Sequence, residues 1–258
     1  MSDLQGRFVW YELMTTDTEA AKAFYGDVVG WCATDAHVPG MFYAMFTLGD
    51  VRVSGLMNLP EEARKMGVPP CWIGYVAVDD VDAAAERVKH LGGTVHVEPR
   101  DIPNVGRFSM ITDPQNAALV LFKLSNPELD HLPEPLTPGH VGWHELLATD
   151  WEKVFPFYRD LFGWSKADAV DLGPMGTYQL FSLDGQTLGG MFTKPPMVPV
   201  PFWLYYFRVD DIDRASERGK AGGGQILNGP MQVPGGDWIL QGMDPQGAMF
   251  ALVGTRTA

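Results

Sequence analysis

The 258-residue sequence contains only two cysteines, Cys32 and Cys71. Two thiols can form at most one disulfide, which is too few to stabilise a chain of this length, so a disulfide-dependent secreted domain is excluded. Free thiols favour a reducing compartment. The sequence also lacks an uncharged apolar run of about 18 residues, the length of a membrane helix, and a basic start followed by an apolar stretch, the mark of a signal peptide. We therefore expect a cytoplasmic protein without a membrane partner.

Basic residues are scarce as well: 19 Lys and Arg stand against 32 Asp and Glu, giving a formal net charge of −13. No cluster of Lys or Arg offsets this balance, which argues against binding to nucleic acid or to an anionic membrane surface. Hydrophobic residues make up 46% and charged residues 20% of the chain. This is enough apolar material for a packed core, so a disordered chain is excluded.

The chain repeats itself. Residues 10–31 recur as residues 143–164, with identical residues at Trp10/Trp143, Glu12/Glu145, Leu13/Leu146, Thr16/Thr149, Asp17/Asp150, Phe24/Phe157, Tyr25/Tyr158, Asp27/Asp160, Gly30/Gly163 and Trp31/Trp164. The sequence is therefore interpreted as a tandem duplication of one unit of about 120 residues. We predict a first domain at 1–125, a semi-rigid proline-rich linker at 126–139 and a second domain at 140–258.

Within each copy, the apolar pattern predicts a strand, a helix and three more strands, and then the same order again. Thr16 or Asp17 can cap the first helix, which Gly30 can end, and Asp79 or Asp80 can cap the second. The expected fold class is α+β, with four βαβββ modules, two per copy.

Two further motifs recur in both copies. They are Val78-Asp79-Asp80 with Val209-Asp210-Asp211, and Asp113-Pro114-Gln115 with Asp244-Pro245-Gln246. Together with the paired modules, they resemble the vicinal oxygen chelate superfamily, which contains glyoxalases, bleomycin-resistance proteins and extradiol dioxygenases. The opening W-[YH]-E-L resembles a two-domain bacterial branch labelled glyoxalase-like or hydroxylase. The resemblance implies that each module pair curls its sheet into a cup with the helices outside.

Metal enzymes of this superfamily resemble one another in drawing their ligands from three places. Carried over to this chain, those places hold Trp10 and Trp143, Ile73 and Leu204, and Val120 and Ala251. None of these side chains can ligate a divalent metal, which needs imidazole, carboxylate or thiolate donors. We predict no metal at the standard positions and no cofactor, while a divalent metal at a different site stays open.

Glu12 and Glu145 are the candidate catalytic residues. By strand alternation they share a sheet face with Trp10 and Trp143, so they are expected to face the cups. A carboxylate among apolar side chains is costly unless it is paired or protonated. One interpretation is structural, with each Glu capping amides or pairing with an arginine; the other is a ligand-contacting group or a general base.

On the strand before Asp210, Tyr206 and Arg208 share the cup-facing phase and are candidate partners of Glu145. The first copy has Tyr75 and Ala77 at these positions, so Glu12 has no equivalent arginine. His144 points to the opposite face from Glu145 and is interpreted as half-exposed or inter-domain.

Aromatic side chains crowd the strands of both copies, as they do where proteins bury flat apolar ligands. The candidate ligand-binding residues are Trp10, Trp143, Trp72, Trp203, Tyr75, Tyr206 and Arg208. Core packing is the alternative for about half of the aromatic residues. The segments 41–43 and 174–178 are interpreted as loops at the cup mouths.

These observations leave three functional hypotheses. The favoured one is a protein that holds a small apolar or carbonyl-bearing ligand in an aromatic cup without the usual metal. The second is a lyase, isomerase or hydroxylase-like enzyme that uses Glu12 or Glu145 as a base. The third is a degenerate scaffold with a protein partner. Because the two copies are fused, a monomer is expected, with a homodimer of the fused chain as the alternative.

Overall fold

The computed structural model of the chain describes residues 4–36, 42–125 and 137–256. Most of the predicted linker lies outside these ranges. The first copy of the repeat is built from β1 (Phe8–Thr15), α1 (Thr18–Val29), β2 (Cys32–Ala36), β3 (Tyr43–Leu48), β4 (Val51–Asn58), α2 (Glu61–Lys65), β5 (Cys71–Ala77), α3 (Val81–His90), β6 (Thr94–Ile102), β7 (Gly106–Thr112) and β8 (Ala118–Leu124).

The second copy repeats this order without the short α2. It is built from β9 (Val141–Ala148), α4 (Trp151–Phe162), β10 (Ser165–Asp171), β11 (Thr177–Leu183), β12 (Gln186–Thr193), β13 (Phe202–Val209), α5 (Ile212–Ala221), β14 (Gln225–Gln232), β15 (Trp238–Met243) and β16 (Met249–Gly254). The four predicted modules are therefore present: module 1 is β1–β4, module 2 is β5–β8, module 3 is β9–β12 and module 4 is β13–β16.

Each copy contributes one eight-stranded mixed sheet. The strand order is β2-β3-β4-β1-β5-β8-β7-β6 in the first sheet and β10-β11-β12-β9-β13-β16-β15-β14 in the second. The first strand of each module runs parallel to the last, as β1 does to β4 and β13 to β16. The sheets are not closed, and the predicted α+β class with duplicated βαβββ modules is confirmed.

Aspartates begin the four longer helices. In each case the side chain accepts a hydrogen bond, 3.0–3.1 Å long, from the backbone N–H three residues ahead, at Asp17, Asp80, Asp150 and Asp211. This bond satisfies one of the amide groups that a helix start leaves unpaired. Gly30 and Gly163 end α1 and α4 at φ values of 90° and 81°, which only glycine adopts without strain. None of the helices in the described ranges has the length and apolar character that a bilayer crossing requires.

The chain folds into two compact units that do not coincide with the two sequence copies. One unit combines residues 1–9 and 73–132 with 144–203, and the other combines 10–72 with 133–143 and 204–258. The first therefore contains modules 2 and 3, and the second contains modules 1 and 4. Each unit takes one module from each copy.

Inside the second unit, a buried chain of hydrogen bonds joins the copies. The Trp72 indole donates to the Tyr25 hydroxyl at 2.8 Å, and that hydroxyl donates to Asp244 Oδ2 at 3.1 Å. The other oxygen of Asp244 accepts from the amides of Gln246 and Ala248, both at 2.9 Å. Asp244, in the Asp-Pro-Gln motif of the second copy, thus stabilises its own turn and also binds Tyr25 of the first copy. Tyr25 belongs to the repeated Phe-Tyr motif, which is Phe24-Tyr25 in the first copy and Phe157-Tyr158 in the second.

The first unit has the same arrangement with the copies exchanged. The Trp203 indole donates to Tyr158 at 3.1 Å, and the Tyr158 hydroxyl donates to Asp113 at 2.8 Å. Asp113 also accepts from the amides of Gln115 and Ala117, at 2.7 and 2.9 Å. Because both aspartates are satisfied by donors, their burial does not leave an unpaired charge.

Candidate functional site

In module 1 the helix covers one face of the sheet, and we call the other the open face. The Leu13 side chain is fully buried, and strand alternation places Glu12 on the opposite side of the sheet, which is the open face. The strand register pairs Glu12 with Gly55 and Gly55 with Met45, so these three residues form one row across the face. Glu12 is nevertheless only 6% exposed.

A tyrosine holds the buried carboxylate. The Tyr43 hydroxyl donates a hydrogen bond to Glu12 and accepts one from the Trp10 indole. Burial, followed by the negative charge of Glu12, raises the pKa of Tyr43 far above its usual range. Tyr43 therefore stays protonated and acts as a donor. Its hydrogen bond offsets part of the free-energy cost of removing the carboxylate from water.

Gly55 makes this contact possible. Tyr43 is paired with Met57, one row away from Glu12, so its ring must pass over β4 to reach the carboxylate. A Cβ at Gly55 would overlap the Tyr43 hydroxyl and would lie 3.1 Å from Glu12 Oε2. Only a residue without a side chain fits beneath the tyrosine.

Module 3 repeats the arrangement. The Tyr178 hydroxyl donates to Glu145 Oε2 at 3.0 Å, and Glu145 is paired with Gly190. A Cβ at Gly190 would lie 2.7 Å from the Tyr178 hydroxyl and closer still to its ring. The tyrosine and the glycine both follow their module 1 counterparts by 135 residues (178 − 43 and 190 − 55). The Glu–Tyr pair over a glycine is thus a duplicated feature.

The partners of the two glutamates differ from those expected. Tyr43 and Tyr178 belong to segments that were predicted to be mouth loops, but Tyr43 is the first residue of β3 and Tyr178 lies within β11. Met41 lies outside the described residues. Arg208, a candidate partner of Glu145, forms a bidentate ion pair with Asp237 at 2.9 and 3.2 Å.

The other expected ligand-binding residues separate into two groups. Tyr75 lies on the open face of module 2, edge-on to Phe122 with 5.6 Å between ring centroids, and Tyr206 accepts a hydrogen bond from Gln241 at 2.6 Å. Trp72 and Trp203 each lie three residues before the tyrosine of their strand, and their indoles are bound to Tyr25 and Tyr158 in the core. The structure thus keeps both tryptophans away from the open faces, because odd and even positions of a strand point to opposite sides.

Trp10 and Trp143 are half-buried and share the alternation phase of Glu12 and Glu145. Apolar side chains surround the two pairs. Met14, Met45 and Met57 share the open face with Glu12, whereas Leu147, Leu180 and Phe192 share it with Glu145. The Phe192 ring lies 5.7 Å from that of Tyr178. Each pair is therefore one polar point in an apolar surface.

His144 is buried rather than half-exposed, and its contact with Phe8 of the first copy agrees with the inter-domain alternative. Its Nδ1 lies 2.6 Å from the Leu188 carbonyl oxygen, and its ring stacks on Phe8 with 4.0 Å between centroids. Burial lowers the pKa of His144 to about 4. His144 is adjacent to Glu145 on β9, so the two side chains point to opposite faces of the sheet. Because Glu145 lies on the open face, His144 faces the core.

The residues at the superfamily's metal positions do not fit a metal ion. Val120 lies between Tyr75 and Met110, and Ala251 lies between Tyr206 and Gln241, so no imidazole, carboxylate or thiolate adjoins either position in its row. Over residues 4–36, 42–125 and 137–256, no group of three or more His, Cys, Asp or Glu side chains could hold a metal. The chemistry of this site must be argued from its own side chains.

Comparison with known proteins agrees with the fold. A family model described as "Glyoxalase/Bleomycin resistance protein/Dioxygenase superfamily" matches residues 7–121 and 137–252. The chain is 35% identical over 254 residues to a Mycobacterium bovis protein named "Putative glyoxylase CFP32", covering 96% of this chain and 95% of that protein. It is 29% identical over 265 residues to "Anthracycline biosynthesis protein DauV" of Streptomyces sp. (strain C5), covering 98% and 94%.

Solved structures show the same fold at low identity. The Mn(II)-bound glyoxalase from Novosphingobium aromaticivorans superposes with a TM-score of 0.65 at 17% identity, over 98% of this chain and 83% of that one. The 2,3-dioxygenase LapB from Pseudomonas sp. KL28 gives 0.66 at 12% identity, over 97% and 92%. The chain therefore belongs to the glyoxalase/bleomycin resistance protein/dioxygenase superfamily, as two fused copies of its domain.

Proposed function

We propose that the chain binds a small planar, apolar molecule that carries a carbonyl or hydroxyl group. The Glu12–Tyr43 and Glu145–Tyr178 pairs would serve as polar anchors on the open faces of modules 1 and 3. The observation that carries the proposal is the buried carboxylate held by a tyrosine donor and found twice. A hydroxyl group of the ligand can donate to the carboxylate, and a carbonyl group can accept from the tyrosine when its single O–H turns from the carboxylate to the ligand.

A purely structural role explains the pairs less well. Replacing a buried polar pair with apolar side chains of similar size is often neutral or stabilising, so the sheet does not need a carboxylate at Glu12 or Glu145. The neighbouring methionine, leucine and phenylalanine side chains supply an apolar surface, and methionine in particular adapts to irregular ligands. This is the composition expected of a small-molecule site.

The names of the relatives support this ligand class. One relative is named as a glyoxylase and another as an anthracycline biosynthesis protein, which points to carbonyl compounds and to planar polycyclic compounds. We also propose that no metal cofactor takes part, since the standard positions hold no donors. With a net charge of −13, nucleic acid and anionic membranes are unsuitable partners. We place the chain in the cytoplasm, as a monomer or a homodimer of the fused chain.

A second candidate function is proton abstraction next to a carbonyl group. The specific observation in its favour is the adjacency of a carboxylate and a tyrosine that remains protonated. The carboxylate would remove the proton, and the tyrosine would stabilise the oxygen that gains negative charge. Deuterium uptake at carbon 2 of α-tetralone in D2O, followed by mass spectrometry, would detect this activity, and Glu12→Gln with Glu145→Gln should abolish it.

The binding proposal is tested with 2-methylanthraquinone, a planar carbonyl compound, by quenching of tryptophan fluorescence. We expect the double variant Glu12→Gln/Glu145→Gln to bind it about tenfold more weakly or worse, since each loses a charge-assisted hydrogen-bonding group. The fold should remain, because glutamine keeps the size and can still accept from the tyrosine.

The matched control is Glu62→Gln/Glu217→Gln, at two exposed glutamates of α2 and α5, which should bind as the wild type does. If the Glu12/Glu145 double variant binds as tightly as the wild type, the anchors are assigned wrongly. If the wild type binds none of the planar carbonyl compounds, a scaffold with a protein partner becomes the better explanation.

A further inference from the structure

The open face of module 4 carries polar side chains at positions that are apolar in module 2. The strand registers of β13, β16 and β15 place Tyr206, Ala251 and Gln241 in one row. The next row holds Arg208, Val253 and Ile239. Directly paired residues on adjacent strands lie on the same face, so both rows belong to one surface.

The equivalent rows of module 2 are different. They hold Tyr75, Val120 and Met110, followed by Ala77, Phe122 and Phe108. Each residue of module 4 follows its counterpart by 131 residues (206 − 75, 241 − 110 and 251 − 120). The tyrosine is common to both modules, whereas the methionine has become Gln241 and the alanine has become Arg208.

The polar groups of module 4 are held in place by one another. Gln241 donates its amide to the Tyr206 hydroxyl at 2.6 Å and accepts from Asn228 at 3.4 Å. Arg208 binds both oxygens of Asp237, and the two side chains are 14% and 33% exposed. We call Tyr206, Arg208, Asp237 and Gln241 the module 4 patch. Arg208, Asp237 and Gln241 are partly exposed to solvent, whereas Tyr206 is only 1% exposed and supports Gln241 from below the surface.

Stability of the sheet does not account for the patch. Module 2 forms the same strand pairings with alanine, methionine and phenylalanine at these positions, and burying an ion pair in place of such residues brings little or no gain. Position 251, beside Tyr206 and Gln241, holds alanine where position 120 holds the larger valine. A ligand edge that hydrogen-bonds to the patch would give these substitutions a purpose.

We propose that the module 4 patch determines specificity for a neutral planar ligand whose edge carries a hydrogen-bond donor next to an acceptor, and that only the second copy has this preference. Asp237 neutralises Arg208, so the patch has no net charge and lies in a chain with a net charge of −13, which disfavours anions. The tyrosine hydroxyl and the glutamine amide can each donate or accept. This inference rests on the proposed function and adds to it a difference between the copies.

The test compares three probes of the same ring size: 2-methylanthraquinone, anthraquinone-2-carboxamide and anthraquinone-2-carboxylate. In the wild type we expect the carboxamide to bind about tenfold more tightly than the methyl compound, which is the effect of one or two additional hydrogen bonds. We expect the carboxylate to bind no more tightly than the methyl compound. The carboxamide should bind tightly with a stoichiometry of one per chain.

The variant Arg208→Ala/Asp237→Gly/Gln241→Met gives module 4 the residues of module 2 and removes both members of the ion pair together. It should bind the carboxamide and 2-methylanthraquinone with equal affinity, so the tenfold preference of the wild type is lost. Gln241→Met alone should lose part of the preference and serves if the triple variant does not fold. Gln225→Met, the same change at an exposed position of β14, should leave the preference unchanged.

The inference is overturned if the triple variant or Gln241→Met keeps the full preference, or if the carboxylate binds most tightly to the wild type. Equal binding of the methyl compound and the carboxamide by the wild type also overturns it, while the proposed function would stand. If the wild type binds none of the three probes, the proposed function fails and the specificity falls with it.

Discussion

The imidazole of His144 lies almost flat on the Phe8 ring, at an interplanar angle of 12°, and is closed off from solvent. The protonated form would have to carry a charge in this environment, so burial lowers the pKa to about 4 although the Leu188 carbonyl oxygen opposes the shift. In the unfolded chain the same side chain takes up a proton near its ordinary pKa. Between these two pKa values the unfolded chain binds more protons, so folding is weakened as the pH falls.

We predict that His144→Phe removes this pH dependence. The wild type should lose up to about 3 kcal/mol of unfolding free energy through His144 as the pH falls from 7 to 4, and the variant should not. Urea unfolding at pH 7.5, 6.0 and 5.0 measures the difference in slope. Burial raises the pKa values of Asp113 and Asp244, which acts in the opposite direction, but this contribution is common to both proteins.

His90→Phe, at an exposed position of α3, is the control for the same substitution. The assignment is wrong if His144→Phe and the wild type lose stability in parallel over this range. At the scale of single residues, the sequence predicts on which face Glu12 and His144 lie, because alternation is a local rule. It does not predict how deeply either is buried, which depends on distant strands.

Among the elements, β4 and β12 have no room for a side chain where the tyrosines cross them. Neither Gly55 nor Gly190 has a positive φ, so alanine is compatible with the backbone and the cost of substitution comes from the side chain alone. The displaced tyrosine would no longer donate to the buried carboxylate. Loss of a hydrogen bond to a buried carboxylate commonly lowers the unfolding free energy by about 1–3 kcal/mol.

We predict that Gly55→Ala and Gly190→Ala each lower the unfolding free energy by about 1–3 kcal/mol and weaken binding of 2-methylanthraquinone. Gly219→Ala in α5 is the control: the added Cβ would lie 3.6 Å from its nearest neighbour, Ile226, which is ordinary contact. It should stabilise the protein by about 0.5–1 kcal/mol, because alanine is the better helix former. Chemical unfolding of the three variants gives the comparison, and equal effects at all three positions would count against the crossing.

Some features of the strands and helices follow from the local sequence, and others depend on distant strands. Strand and helix order, and the capping aspartates such as Asp17, follow from spacing within a few residues. The sequence places Tyr43 both in a strand over 42–48 and in a predicted mouth loop over 41–43, and the structure agrees with the strand. Its partner, Glu12, is a residue of another strand. The contact depends on register across three strands and on Gly55, none of which a local pattern records.

At the scale of the whole molecule, the main feature is that each compact unit combines one module from each copy. Tyr25 of the first copy binds Asp244 of the second, and Tyr158 of the second binds Asp113 of the first. The repeat predicts two similar domains but does not say that each compact unit takes a module from both. Each copy by itself would lack the partner of its Phe-Tyr motif.

We predict that residues 1–125 and 126–258, co-expressed as separate chains, associate in a 1:1 complex. Light scattering after size-exclusion chromatography gives the stoichiometry. Tyr25→Phe with Tyr158→Phe should weaken the association about tenfold or more, since two buried aspartates lose a donor. Two fragments that each unfold cooperatively as stable monomers would contradict the crossed arrangement.

The hydrogen bonds between the copies also couple the evolution of positions that are far apart in the sequence. A substitution at Tyr25 alters the surroundings of Asp244, 219 residues further along the chain, and leaves Asp113 undisturbed although Asp113 is the repeat's copy of Asp244. Compensating changes should therefore arise between the copies rather than within them. The two copies now differ on the open faces of modules 2 and 4, whereas the tyrosines and aspartates that bond across the copies are the same in both.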